Sequence, residues 1–230
     1  MRTLLLVVAI LAVTCLGAGA DIIEYNWASG NQGAGASNSW NATTNTIFKF
    51  DTSLGTLNSV RISLDTGLFA LAGMENLAAN VPHAITTNAN ATITLVLPDH
   101  PSLQTTPNAT APFNATKYDG NTNYSGGSGN TISNMLDSKT INWYVNAVNF
   151  GSYEDIWGSA LNLNIGGLAA ISFTGQDAAH FATDPANHIQ SFGDVKVVYD
   201  YTPVPEPGSL ALLLLGLPMA GVWYRRKRQS

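Results

Sequence analysis

The strongest constraint on this chain lies at its end. Gly208 to Tyr224, GSLALLLLGLPMAGVWY, runs without a charge and stops at Arg225-Arg226-Lys227-Arg228. The segment has no polar face, so it is not an amphipathic helix laid on a globular core. As a helix it is about 26 Å long, at the short end of what crosses a hydrocarbon layer. Trp223 and Tyr224 stand where interfacial aromatics belong, and the basic cluster stays cytoplasmic. The reading is a single transmembrane helix over 208–224, with the preceding chain outside. Pro218 is tolerable there if local adjustments satisfy the backbone. Just upstream, Pro203-Val204-Pro205-Glu206-Pro207 forms a stiff extended spacer. Proline fixes φ, lacks a donor and turns its predecessor away from helix.

The other end agrees with that orientation. Arg2, the apolar run Leu4 to Val13 and the small residues Ala18-Gly19-Ala20 read as a secretory signal over 1–20, cut between Ala20 and Asp21. The run is about 10 residues, too short to span a bilayer. A lipoprotein signal on Cys15 is the nearer rival, but Ala12-Val13-Thr14 fits that motif poorly. Cys15 is the only cysteine. Loss of the leader therefore removes disulfides, thiolate metal sites and cysteine nucleophiles together.

The order of parts at the C-terminus resembles a known signal. Val204-Pro205-Glu206-Pro207, a short apolar helix and a terminal Arg/Lys cluster are similar to the PEP-CTERM sorting signal. The resemblance implies an exosortase, a membrane-embedded cysteine transpeptidase of exopolysaccharide-making bacteria, as partner. It also implies cleavage near Pro-Glu-Pro and a final place at the cell surface or outside the cell. The sorting and anchor segment spans 203–228, with the spacer over 203–207 and the basic cluster over 225–228.

Between the two ends lies one outer domain, 21–202. It carries five basic residues against fourteen acids, a net charge of −9. Phosphate binding needs Lys and Arg to displace counterions, so nucleic acid is excluded as a partner. Period-two alternation recurs along the domain, the mark of half-buried strands. Val60, Ile62 and Leu64 alternate with polar residues, as do Ile93 to Leu97, Leu161 to Ile165 and Val195 to Tyr201. Shorter candidates are Ile22 to Trp27, Ile47 to Phe50, Leu68 to Met74, Ile141 to Phe150 and Ala169 to Phe173. Turn-prone clusters fall at Asn31 to Ser39, Asp119 to Asn130 and Asp184 to Asn187. The expected class is all-β, an antiparallel β-sandwich.

A second resemblance covers the domain in patches. Phe50-Asp51-Thr52-Ser53-Leu54-Gly55-Thr56-Leu57-Asn58-Ser59-Val60 with Glu75-Asn76, the stretch Tyr118 to Gly129, and Val195 to Pro203 are similar to choice-of-anchor E domains. It departs between Ile141 and His188 and implies attachment to a surface anchor, with no activity to transfer.

Four kinds of chemistry are open to these residues. Asp119, Asn121, Asn123 and Ser125 alternate like a calcium loop. The EF-hand pattern wants glycine at its sixth position and an acid at its twelfth, here Tyr124 and Asn130. His180, His188, Asp184 and Asp177 have helical ligand spacing, yet Pro185 interrupts any helix. The adjacent acids Glu154-Asp155 point to opposite faces of a strand, wrong for two carboxylates acting on one bond. There is no G-x-S-x-G or H-E-x-x-H. No catalytic residue, metal ligand or cofactor site is assigned. Sugar binding has the best material: Trp27, Trp40, Trp143, Tyr144, Tyr153 and Trp157, with many Asn side chains. The same rings serve equally to fill a sandwich core. The leading expectation is an exported, exosortase-sorted surface or matrix protein without catalytic activity. The alternatives are a carbohydrate- or exopolysaccharide-binding module and an uncharacterised hydrolase.

Overall fold

The computed structural model describes residues 20–33, 35–175 and 180–204. The leader up to Gly19, Asp177, and the C-terminal segment from Pro205 onward lie outside the described residues. Among those described, no helix is long and apolar enough to cross a membrane.

Among the described residues, twelve strands succeed one another. They are β1 (Asp21–Ala28), β2 (Ser37–Thr43), β3 (Phe50–Asp51), β4 (Gly55–Asn76), β5 (His83–Val96), β6 (Leu103–Thr105), β7 (Asn108–Ala115), β8 (Gly129–Tyr144), β9 (Glu154–Asp155), β10 (Asn164–Gly175), β11 (Phe181–Thr183) and β12 (His188–Pro203). A 3-10 helix, Ala147–Ser152, precedes β9. The first sheet runs β1-β12-β4, with β8 on the far side of β4 and β11 at its C-terminal end. The second runs β2-β10-β5, with β6 and β7 sharing the far side of β5. Every pairing in both is antiparallel. Only the short β3–β9 pair is parallel.

The core fills the space between the sheets. β12 alternates half-buried and buried from His188 to Tyr201, placing Ile189, Val195, Val197, Tyr199 and Tyr201 inward. Ile85, Ile93 and Leu95 of β5 and Ile165 and Ala169 of β10 come from the second sheet. Two bulges break the parity. Asp200 faces Ser59 while Tyr201 faces Leu57, so Asn58 is an extra residue on β4. Leu57 and Val60 can therefore both be buried at an odd spacing. On β8 a similar shift lets Met135 and Ile132 both reach the core.

Several sequence expectations need correction. Leu161 and Leu163 are buried in irregular chain, and the strand starts only at Asn164. The strand expected over Ile141 to Phe150 stops at Tyr144, because Asn146 caps the 3-10 helix. β2 begins inside the expected turn 31–39, and β8 inside 119–130. The separate candidates around Val60 and Leu68 are one strand of 22 residues.

The sheets approach closely at Gly193. A Cβ there would stand 2.6 Å from Ile165 Cδ1 and 3.0 Å from Ile93 Cγ2. Gly193→Leu is expected to destabilise by about 1–3 kcal/mol through overpacking, read as a lower urea midpoint. An unchanged midpoint would show that the sheets can part there freely.

Two fully buried tyrosines tie loops to this core. Tyr199 Oη donates to the Phe48 carbonyl at 3.0 Å, and Tyr153 Oη donates to Asp99. Burial pushes both phenols well above their usual range, helped at Tyr153 by the Asp99 bond and charge. The native state thus keeps protons that the unfolded chain releases above about pH 10. Their stabilisation is complete below that pH and is lost above it, at up to about 1.4 kcal/mol per pH unit for each tyrosine. Urea midpoints tracked from pH 9 to 12 should fall steeply past 10, and less steeply in Tyr153→Phe. A flat profile would contradict the assignment.

Candidate functional site

The two outer faces of the sandwich differ in kind. On the first sheet the outward residues include Glu24, Arg61, Asp65, Asp194, Lys196 and Asp200. Lys196 Nζ lies 2.8 Å from Glu24 Oε2, and that bond holds the Glu24 carboxyl below its usual range. Asp65 and Asp194 are directly opposed in register, at a hollow of about 330 Å³. Burial first, and then the charge of Asp65, raises Asp194.

The outward face of the second sheet carries no Asp, Glu, Lys, Arg or His on any of its strands. Its rows are set by the register. Asn41, Gly166, Thr94 and Gln104 form one row across four strands. Thr43, Asn164 and Val96 flank it on one side, and Ser39, Leu168 and Thr92 on the other. Further along come Ser37, Ala170, Asn90 and Asn108, then Ser172, Asn88 and Thr110, then Thr174, Thr86 and Pro112. The rows are cross-linked, with Thr43 Oγ1 donating to Asn164 Oδ1 at 3.0 Å and Asn108 Nδ2 to Asn90 Oδ1 at 2.6 Å. An open groove of about 650 Å³ lies over β2, β10 and β5, and the Asn41 side chain leans over Gly166 at its floor, with Oδ1 2.4 Å from where a Cβ would stand.

The six aromatic candidates do not form a row. Trp40 and Tyr153 are buried, Trp40 donating from Nε1 to Ser191 Oγ at 2.9 Å beneath Gly167. Trp27 and Trp143 are half-buried against the core, Trp143 beside His100 at 4.3 Å between ring centroids. Tyr144 and Trp157 are exposed, the latter at 86%. Trp157 follows β9, whereas Tyr144 ends β8.

The polar candidates serve local turns. Asp119 Oδ1 accepts from Asn121 N, and Asn123 Oδ1 accepts from Ser125 N and Oγ. Tyr124 sits between them at φ 56°, held by its N–H to Glu75 Oε2 at 2.7 Å. Asp184 Oδ1 accepts from Ala186 N, while His188 begins β12 beside the Phe69 ring. The His180 carbonyl accepts from Leu77 N. Asp155 accepts from Trp157 N and Ser159, whose hydroxyl bond lowers its carboxyl, so this acid shapes its own loop. Among the described residues, no three metal-ligating side chains converge.

The chain leaves the domain at one pole. Val204 N donates to the Leu54 carbonyl at 2.9 Å, and Asp21 pairs with Tyr201 beside it. From this pole onward the chain matches a family motif over residues 203–229. These residues are a PEP-CTERM protein-sorting motif. Val204 through Pro207 and Arg225 through Arg228 lie within it. A PEP-CTERM motif is the substrate signal of exosortase and marks an exported protein. No curated protein is significantly similar to the chain. Among solved structures, a chain of Desmodium yellow mottle tymovirus is similar at 9% identity and TM-score 0.21, over 83% of this chain and 94% of that one. The infectious bursal disease virus Gt strain is similar at 12% identity and TM-score 0.14, over 86% of this chain but 47% of its own. Likeness at such TM-scores carries no argument about fold or function.

Proposed function

We propose that the chain is an exported bacterial cell-surface or extracellular-matrix protein, sorted by exosortase, whose sandwich is a passenger without catalytic activity of its own. The observation that carries this is the PEP-CTERM motif joined directly to β12. Only residues 205–207 separate Val204, still bonded to Leu54, from the apolar stretch 208–224. In this reading 1–20 is the leader, 208–224 spans the membrane, and the outer domain resembles choice-of-anchor E. The patches behind that resemblance support it, because they meet in space. Gly55 to Leu64 pairs with Val195 to Pro203, and Glu75-Asn76 bonds the segment 116–124. The test is to track the protein in a host with and without its exosortase. A shorter mature form only where the enzyme is present supports the reading, and identical bands in both would defeat it.

A second reading, a carbohydrate-binding module, is favoured by one observation. The second sheet's outer face is a lattice of hydroxyls and amides without charge, on a domain that is otherwise acidic.

A further inference from the structure

We propose that the groove over Gly166 binds an extended, neutral polysaccharide chain lying across the strands. The proposal rests on the carbohydrate-binding reading and assigns it a place and a ligand class. Three features carry it.

The first is charge. The domain carries −9, yet the groove and its whole sheet face carry nothing ionisable. Such a face gives no attraction to a polyuronate, a nucleic acid or a lipid headgroup. It is matched to a ligand that is itself uncharged and rich in hydroxyls. Its Thr, Asn, Ser and Gln side chains both donate and accept, as sugar hydroxyls do.

The second feature is spacing. The groove crosses three strands along Asn41, Gly166 and Thr94, so each step across it is one strand spacing, about 4.8 Å. That is close to the rise per residue of an extended, equatorially linked sugar chain. Asn41 and Thr94 would meet sugars on either side of the Gly166 floor. The flanking rows start four residues apart on β10, at Asn164 and Leu168. They leave a trough about 13 Å wide between backbone positions.

The third feature is the walls. Leu168 and Val96 are exposed at 63% and 46%, on opposite sides of the floor. They offer apolar contact to the C–H faces of sugar rings within a polar surround, the composition of a ligand site rather than of a dimer core. A second copy stacked on this face would bury mostly polar side chains.

The test uses the full chain in a detergent without a sugar headgroup, run in native gels containing hydroxyethylcellulose or polygalacturonate. Wild type should be retarded by the neutral glucan alone, equally at low and high salt. Leu168→Asp should weaken retardation about tenfold or more while melting as wild type. Trp157→Ala should leave it unchanged. If Trp157→Ala abolishes retardation and Leu168→Asp does not, sugar binding stands and the groove assignment falls. If wild type runs freely in both gels, both fall; if it is held only by polygalacturonate, sugar binding stands and the neutral groove assignment falls. A dimer that Leu168→Asp dissociates would assign the face to a second copy and overturn the proposal.

Discussion

With Pro205, Glu206 and Pro207 replaced by alanine, the protein is expected to stay in the membrane fraction at its full precursor size. Spacer and apolar stretch have different physical tasks. The apolar run and Arg225 to Arg228 stop translocation and fix the orientation. The prolines cannot join the helix, so they hold Glu206 extended at the membrane surface, as a protease needs its substrate. Alanine removes the helix break and lets the anchor lengthen upstream without losing its span. Neutral replacements at Arg225 to Arg228 should instead damage retention or orientation. Membrane fractionation and the size of the mature band read both outcomes. Efficient release of the alanine variant, in a host with the enzyme, would show that the motif is not read.

The largest expected loss of stability is at Tyr199→Ala. Tyr199 is fully buried, and its ring packs near Phe50 and Tyr25 at centroid distances of 6.0 and 6.2 Å. Its hydroxyl closes the link from β12 to the loop before β3. Truncation leaves a ring-sized cavity and an unpaired Phe48 carbonyl, costing about 3–5 kcal/mol. For a domain of this size that lowers Tm by roughly 10 °C or more. Tyr199→Phe keeps the ring and should cost only about 1–2 kcal/mol. Thermal unfolding of the three proteins side by side checks this. Equal losses in both variants would mean that the hydroxyl, not the ring, holds the loop.

The strands legible in the sequence are those whose inward residues are large. Val195 to Tyr201 announces itself because Val and Tyr alternate with Lys and Asp. β2 and β7 do not. β7 turns small residues inward, Ala109, Ala111 and Ala115 among them, and carries Pro112, tolerable on an edge strand, while β2 is mostly Ser, Asn and Thr around the buried Trp40. The continuity of β4 is hidden at Asp65-Thr66-Gly67, where the inward position between Leu64 and Leu68 is the polar Thr66, bonded to Thr105. The aromatic rings of the sequence do not mark the groove, because several of them fill the core. A different signal was present. The stretches 25–48, 76–98, 100–116 and 156–176 contain no Asp, Glu, Lys or Arg. Together they hold β2, β5, β6, β7 and β10, the whole of the second sheet.

The position of β12 has a mechanical consequence. It is the strand that hands the chain to the sorting motif, and it lies between β1 and β4, bonded to β1 over eight register pairs and to β4 over sixteen. A pull transmitted from an anchor through Val204 acts along that strand, across bonds that lie perpendicular to it. The ladder is therefore loaded in shear, with many bonds sharing the force at once, instead of being peeled open one at a time. Flow or drag on a tethered domain would meet its stiffest direction first.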